Sequence, residues 1–496
     1  MRALLAALLL LAFAPPAHAE WQRIETAEFA LQADMEPEAL RALGVQLLDH
    51  DRLLRQILGV TGPGRGRRIE MIIYGDHAQL VAESGMPALA AGFFNANPME
   101  NFALLPARDT AEYSPYDATR TLRHEYTHYF MVRHLGRQYP GWFIEGLASF
   151  FETAHRGSDG IMRYGAPHEE ASIILLELGG LPFSRMGVMP DFRQGDEQIG
   201  RFYAQGWLIT SHYFMGGPQA PGIKAYLETA RRNGKPDPSL FAGGPAQLDR
   251  DVAAWFADGL PPEKQVTVAP ADASTIQLRP LSRGEVGLIG LRLEMYRRGS
   301  QISQHRDATE ATAALSRQAL DLAKGNPDDR VVGRYVAKLF LLMDSDEVGS
   351  DDIAALLDPA GTTAEDRILQ ARLMTRRADE GPPAKFQQTV AASRATLQGV
   401  LKAEPDNVDA LVAMFENVRE AEGASSQAAQ YLARALAIEP ANSAWRMALL
   451  ELYLRDNRKA DVVALLQPIA NMPHGGADTA MASDMIKRFA GVGPAQ

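Results

Sequence analysis

The sequence predicts two structural classes in series. These are an α+β domain over residues 20–260 and an all-α helical-repeat domain over 281–490, joined by a linker at 261–280. Three observations carry this. Short runs that read as strands, Arg68 to Tyr74 and Asn101 to Pro106, fall in the first half. A stretch rich in proline and small residues, from Pro261-Pro262 to Ala273-Ser274, follows a helical run that ends near Gly259. Beyond Pro280 the composition turns to alanine and leucine with helical periodicity and little strand signal. A chain of 496 residues, 46% hydrophobic and 22% charged, is ordinary globular material long enough for two or three domains.

The first element is a leader. Met1-Arg2 precedes an apolar run from Ala3 to Ala14, and Ala17-His18-Ala19 has the small-residue form of a cleavage site. Residues 1–19 therefore read as a signal peptide cut after Ala19, and the expected location is periplasmic or secreted. No other stretch approaches 18 uninterrupted apolar residues, so no transmembrane segment is expected in the mature chain. With no cysteine there is neither a disulfide nor a thiolate metal site. A net charge of −11 argues against nucleic acid as a partner.

The strand at 68–74 ends in Gly75-Asp76. The strand at 101–106 reads equally as a sheet edge along which an extended peptide could lie, which Pro106 would suit, or as a purely structural strand. A helix is then predicted from Pro115, a residue type suited to the first helical position, to the stop at Gly136. Its apolar stripe is Leu122, Tyr126, Tyr129, Phe130 and Leu135. A second helix follows from about Pro140 to Thr153, with Trp142, Phe143, Leu147, Phe150 and Phe151 to bury.

The first of these helices carries His124-Glu125-Tyr126-Thr127-His128, an HExxH pattern. Residues four apart share a helix face, so both imidazoles can reach one metal ion. Glu125, next to His124 in sequence, is off that row and can act as general base on a water at the metal. A catalytic zinc takes three protein ligands and keeps one position open, and Glu145 on the following helix supplies the third.

His124-Glu125-x-x-His128 with Trp142-x-x-Glu145-Gly146-x-Ala148 resembles the gluzincin branch of zinc metallopeptidases. The likeness is to the peptidase-MA-like proteins of bacteria, and more distantly to zinc aminopeptidases with a similar W-x-x-E-G segment. It spans roughly residues 65–260 and is dense in two segments. It implies a zincin-like metallopeptidase domain, Zn2+ held by His124, His128 and Glu145, and Glu125 as base and proton shuttle. Phe202-Tyr203-Ala204-Gln205-Gly206 is similar to the Y-x-x-G stretch of the aminopeptidases, which implies that Tyr203 supports the oxyanion.

Two departures stand out. Where related gluzincins place a carboxylate one turn after the glutamate ligand, this chain has Ser149. Glu152, on nearly the same face, is either the replacement partner for a zinc histidine or a solvated side chain. Met99-Glu100-Asn101 faintly echoes the loop with which aminopeptidases bind a substrate amine, without its preceding glycine.

The second half repeats. Leu401-Lys402-Ala403-Glu404-Pro405-Asp406-Asn407 is matched by Leu436-Ala437-Ile438-Glu439-Pro440-Ala441-Asn442. Pro327, Pro359, Pro405, Pro440 and Pro473 are 32, 46, 35 and 33 residues apart, close to the tetratricopeptide period of about 34 except across the irregular stretch 360–400. Ala428, Ala435, Leu449, Tyr453 and Leu466 fit that pattern, whereas Glu416 and Arg419 depart from it. Tetratricopeptide-like repeats are expected to hold a peptide or protein substrate, or an envelope protein partner. The expected activity is zinc-dependent peptide hydrolysis. A peptidase-like scaffold serving as an adaptor, and a hydrolase of a non-peptide amide, are the alternatives.

Overall fold

The computed structural model describes residues 20–86, 92–107, 118–136, 139–187, 190, 196–233, 236–303, 308–343, 348–470 and 477–490. The leader at 1–19 and the helix start at Pro115 lie outside them.

The first half is built on a six-stranded mixed sheet. β1 (Trp21–Glu25) and β2 (Phe29–Asp34) pair antiparallel, and α1 (Pro37–Leu58) crosses over to β3 (Ile69–Ile73), which runs parallel to β2. After α2 (His77–Ser84) come β4 (Phe93–Ala96) and β5 (Asn101–Leu105), an antiparallel hairpin whose second strand is parallel to β3. With β9 (Gln277–Pro280) the order is β4-β5-β3-β2-β1-β9. Both faces are covered, so β3 is apolar nearly throughout instead of cleanly alternating. Ile69, Met71 and Ile73 share a core with Leu47, Leu53 and Leu54 of α1. Ile72, Phe102 and Leu104 pack on the other side with Leu80 of α2 and with Ile289 and Leu293.

Of the two readings of the strand at 101–106, the structure excludes the sheet edge. Asn101–Leu105 is paired on both sides and is not an edge; β4 takes the edge. Phe93-Phe94-Asn95-Ala96 is too short to show a period, and Pro106 falls just past β5, where its missing N–H breaks no ladder.

α3 (Ala118–Phe130) packs on the α1 side of the sheet and runs into a single π-helical turn, Met131–Leu135, before Gly136 at φ 82°. α4 (Gly141–Phe151) follows. A small sheet is then formed by β6 (His155–Arg156), β7 (Met162–Tyr164) and β8 (Lys264–Val266). Between β7 and β8 lie α5 (Glu169–Leu178), α6 (Asp196–Phe214), α7 (Ala220–Asn233) and α8 (Pro245–Ala257). The stretch 261–280 supplies β8 to the small sheet and β9 to the large one.

From Arg283 the chain is helical: α9 (Arg283–Ser303), α10 (Ala308–Gly325), α11 (Arg330–Met343), α12 (Ser350–Leu356), α13 (Ala364–Glu380) and α14 (Pro383–Ala403). It continues as α15 (Val408–Glu422), α16 (Ser426–Ile438), α17 (Ser443–Arg455), α18 (Lys459–Ala470) and α19 (Ala477–Ala490). Successive helices pack as hairpins, with Leu411, Leu432, Leu449 and Leu466 fully or nearly buried along the seam. The repeated Glu-Pro-x-Asn has a local cause. Pro405 and Pro440 fall in the turns that close α14 and α16. Asn407 and Asn442 then cap the next helices by accepting from the Ala410 and Trp445 amides. Pro473 lies outside the described residues. No helix among those described is long and apolar enough to cross a membrane.

Candidate metal centre

Two helix contacts assemble the site. α4 and α6 cross so closely that a Cβ on Gly146 would lie 2.3 Å from the Gly206 carbonyl oxygen, and one on Gly206 would lie 2.7 Å from that of Trp142. Only glycine permits this approach. It is why glycine follows Glu145 and why glycine stands three residues after Tyr203. The crossing sets Glu145 against the face of α6 that carries Tyr203, while α3 packs along α4 and brings in both histidines.

Nε2 of His124 lies 3.5 Å, and Nε2 of His128 3.4 Å, from the same oxygen of Glu145. The two imidazoles are nearly perpendicular, at 86° with centroids 4.7 Å apart. One ligand atom from each of the three residues can be chosen so that all lie within 4.8 Å of one another. Glu145 is fully buried. A carboxylate oxygen and two imidazole nitrogens that converge this closely are held together by a shared cation or proton, because their lone pairs alone would repel. Their donor types, two imidazoles and one carboxylate with space for a further ligand, suit zinc.

Glu152 lies beside this group. Its Oε2 is 2.8 Å from Nδ1 of His124, and its Oε1 accepts from Arg120 at 2.6 Å and lies 2.9 Å from Nε2 of His168. His168 in turn caps α5, its Nδ1 accepting from the Ala171 amide, which leaves the proton on Nε2 to face Glu152. Burial alone would raise the Glu152 carboxyl, but the hydrogen bonds and charge of His124 and His168 hold it well below the usual range. Burial alone would likewise lower His124, yet hydrogen bonds to Glu145 and Glu152 carry it well above the ordinary histidine value. The pocket attracts positive charge. With Nδ1–H of His124 donated to Glu152, its Nε2 faces Glu145 and His128, and a cation bound there would take the place of the Nε2 proton. Replacing this partner in Glu152→Gln is therefore expected to weaken zinc affinity by about 10–100-fold. Competition with a chelating dye measures it, and an unchanged affinity would make the bond incidental.

Glu125 is buried and borders the start of β4: a Cβ on Gly92 would sit 3.5 Å from its Cγ and 3.2 Å from Cγ2 of Thr121. Burial, then the charges of Glu145 and Glu125, push the Tyr203 hydroxyl well above its ordinary value, so it remains a proton donor. The five site residues taken from the sequence, His124, Glu125, His128, Glu145 and Tyr203, are thus gathered in one place.

The Met99-Glu100-Asn101 segment is used otherwise. Glu100 takes a bidentate pair from Arg292 at 2.7 and 2.9 Å and a hydrogen bond from Tyr335 at 2.7 Å. Its carboxylate is committed to the helical region and is not offered to a substrate amine. Arg120 and His168 were not visible in the sequence as site residues, because neither belongs to a spaced motif. A second cluster, Glu28, Asp51 and His134, has ligand-like spacing. Arg55 and Arg133 already occupy it, pairing with Glu28 at 3.1 and 3.2 Å, so the cluster is an internal ion network. It anchors α3 through the Tyr126 hydroxyl, which donates to Asp51 at 2.7 Å.

No protein-family model matches this chain, and no curated protein matches it. Among solved structures it is similar to a thermophilic TPR protein of Thermus thermophilus. The identity is 15% and the TM-score 0.30, over 40% of this chain and 99% of that one. So loose a likeness says nothing of this chain's activity or partners.

Proposed function

We propose that the chain is an exported zinc-dependent hydrolase of peptide bonds. It would have a gluzincin-type, zincin-like domain ahead of tetratricopeptide-like repeats. The observation that carries this reading is the convergence of His124, His128 and Glu145 from two helices, with Glu125 and Tyr203 beside them. The leader-like residues 1–19 support export.

When bound, zinc would supply Lewis acidity and lower the pKa of a water in its open position. Glu125 takes the proton of the attacking water and returns it to the leaving amine. Tyr203 donates to the oxygen on which negative charge develops. Glu152, through Nδ1 of His124, holds that imidazole in the tautomer and orientation that present Nε2 to the metal. Gly146 and Gly206 fix the spacing between Glu145 and Tyr203.

The testing experiment is metal analysis of the purified protein. One zinc per chain is expected, with most of it lost in His128→Ala and in Glu145→Ala. Full retention in both variants excludes this ligand set. A second measurement addresses Tyr203. If its hydroxyl acts only in the transition state, Tyr203→Phe lowers kcat by about 10²–10³ with little change in KM. Near-normal kcat would leave Tyr203 as packing.

A second reading is favoured by the run of packed helical hairpins from α13 to α19. In it the repeats hold a protein partner and the metal centre is a structural remnant. A zinc-loaded protein that cleaves no member of a diverse peptide library, yet binds a partner equally well with and without Glu125→Gln, would establish that reading.

A further inference from the structure

A cavity of about 620 Å³ lies where the β4–β5 hairpin meets the first helices of the repeat region. That volume is in the range of ordinary ligand sites. Phe102, Met295, Leu342 and Met343 provide its apolar walls, and Asn95 and Asn97 stand at its β4 side. One wall is tied together by the Glu100–Arg292–Tyr335 cluster, in which Arg292 is buried and Glu100 accepts from both partners. The hairpin turn is held too. Arg67 donates to the carbonyls of Asn97 and Pro98 at 3.0 and 2.9 Å while Glu439 grips the same guanidinium at 2.6 Å.

β4 connects this cavity to the metal centre. Gly92, the residue before β4, abuts Glu125, and Asn95 of β4 and Asn97 just beyond it line the cavity. Four strand residues span roughly 13 Å. β4 is the sheet edge, and among the described residues its outer side pairs with no strand. An extended peptide can therefore add to it by main-chain hydrogen bonds, with alternate side chains entering pockets.

We infer that the junction cavity is a distal subsite for an apolar side chain of an extended polypeptide laid antiparallel along β4. The inference rests on the hydrolase reading and deepens it. The substrate class is then an unfolded segment of at least five residues, with a leucine-like or methionine-like side chain about four or five residues before the bond at Glu125. An antiparallel peptide runs from the cavity toward Glu125, so the recognised residue lies on the amino-terminal side. The helical region thereby builds part of the binding site.

Peptide hydroxamates test this, because a carboxy-terminal hydroxamate fixes the register at the metal. A series of glycine–serine peptides, two to seven residues long with one leucine moved along them, would be measured for binding to the zinc-loaded full-length protein. Affinity should peak about tenfold above its neighbours when the leucine is the fourth or fifth residue from the hydroxamate. Leu342→Asp and, independently, Met295→Asp should erase the peak. Binding of the two-residue hydroxamate and zinc content should stay unchanged in both variants. Zinc-dependent binding with no positional peak in the unaltered protein overturns the subsite while leaving the metal centre standing. A peak that survives in folded Leu342→Asp and Met295→Asp overturns its placement in this cavity. If no hydroxamate binds in a zinc-dependent way, the hydrolase reading fails and the subsite with it.

Discussion

Glu125→Gln should leave one zinc per chain and an unchanged thermal transition while peptide cleavage falls by about 10²–10⁴, the usual contribution of a positioned general acid–base. The substitution keeps the shape of a side chain that is buried against the start of β4, so packing around Gly92 and Thr121 is preserved. What it removes is basicity. An amide oxygen cannot take the proton of the attacking water, and it holds none to return to the amine. The ligand atoms of His124, His128 and Glu145 are untouched, which separates this variant from any that strips the metal. Cleavage of a diverse peptide library followed by mass spectrometry supplies the measurement. Turnover at the unaltered level, with zinc in place, would remove Glu125 from the chemistry and favour the adaptor reading.

The site was legible where its geometry is local. His124 and His128 follow from the helical period alone, and Glu152 from lying seven residues after Glu145 on the same helix face. The meeting of Glu145 with Tyr203 depends on the contact between Gly146 and Gly206. The sequence showed both glycines, but nothing in it joined them. Long-range pairing was the illegible part. Glu404 and Glu439 occupy the same repeat position and differ only in what the fold brings near. Glu404 bonds its own Asn407 at 2.8 Å, whereas Glu439 reaches Arg67. Glu100, in a segment that only faintly echoed an amine-binding loop, is likewise taken up by Arg292 and Tyr335. Which strand forms the edge stayed open because a four-residue strand carries too few alternations to declare itself, and register between strands is not written in either one.

Arg67 is where loss of one side chain should cost the most stability. Its guanidinium and amide meet both oxygens of Glu439, at distances from 2.6 to 3.1 Å, and the guanidinium lies 5.0 Å from the centre of the Trp445 ring. Burial alone would lower its pKa, but Glu439 and Asp409 raise it above the normal arginine value. Through Asn97 and Pro98 the same group pins the β4–β5 turn, and the Arg67 carbonyl accepts from Tyr129 on α3 at 3.2 Å. Arg67→Met leaves Glu439, only 5% exposed, as an uncompensated buried charge, a situation that costs about 3–5 kcal/mol. The thermal transition should drop by several degrees and split, because the helical region loses its grip on the sheet. Zinc content should be retained, since the backbone bond to Tyr129 survives. Removing the stranded charge as well, in Arg67→Met with Glu439→Met, should recover much of the loss, as paired apolar replacements of buried ion pairs often do. Calorimetry on both proteins decides the matter. A single variant as stable as the parent, or a double variant no better than the single, would mean that Arg67 and Glu439 merely touch and do not hold the two halves together.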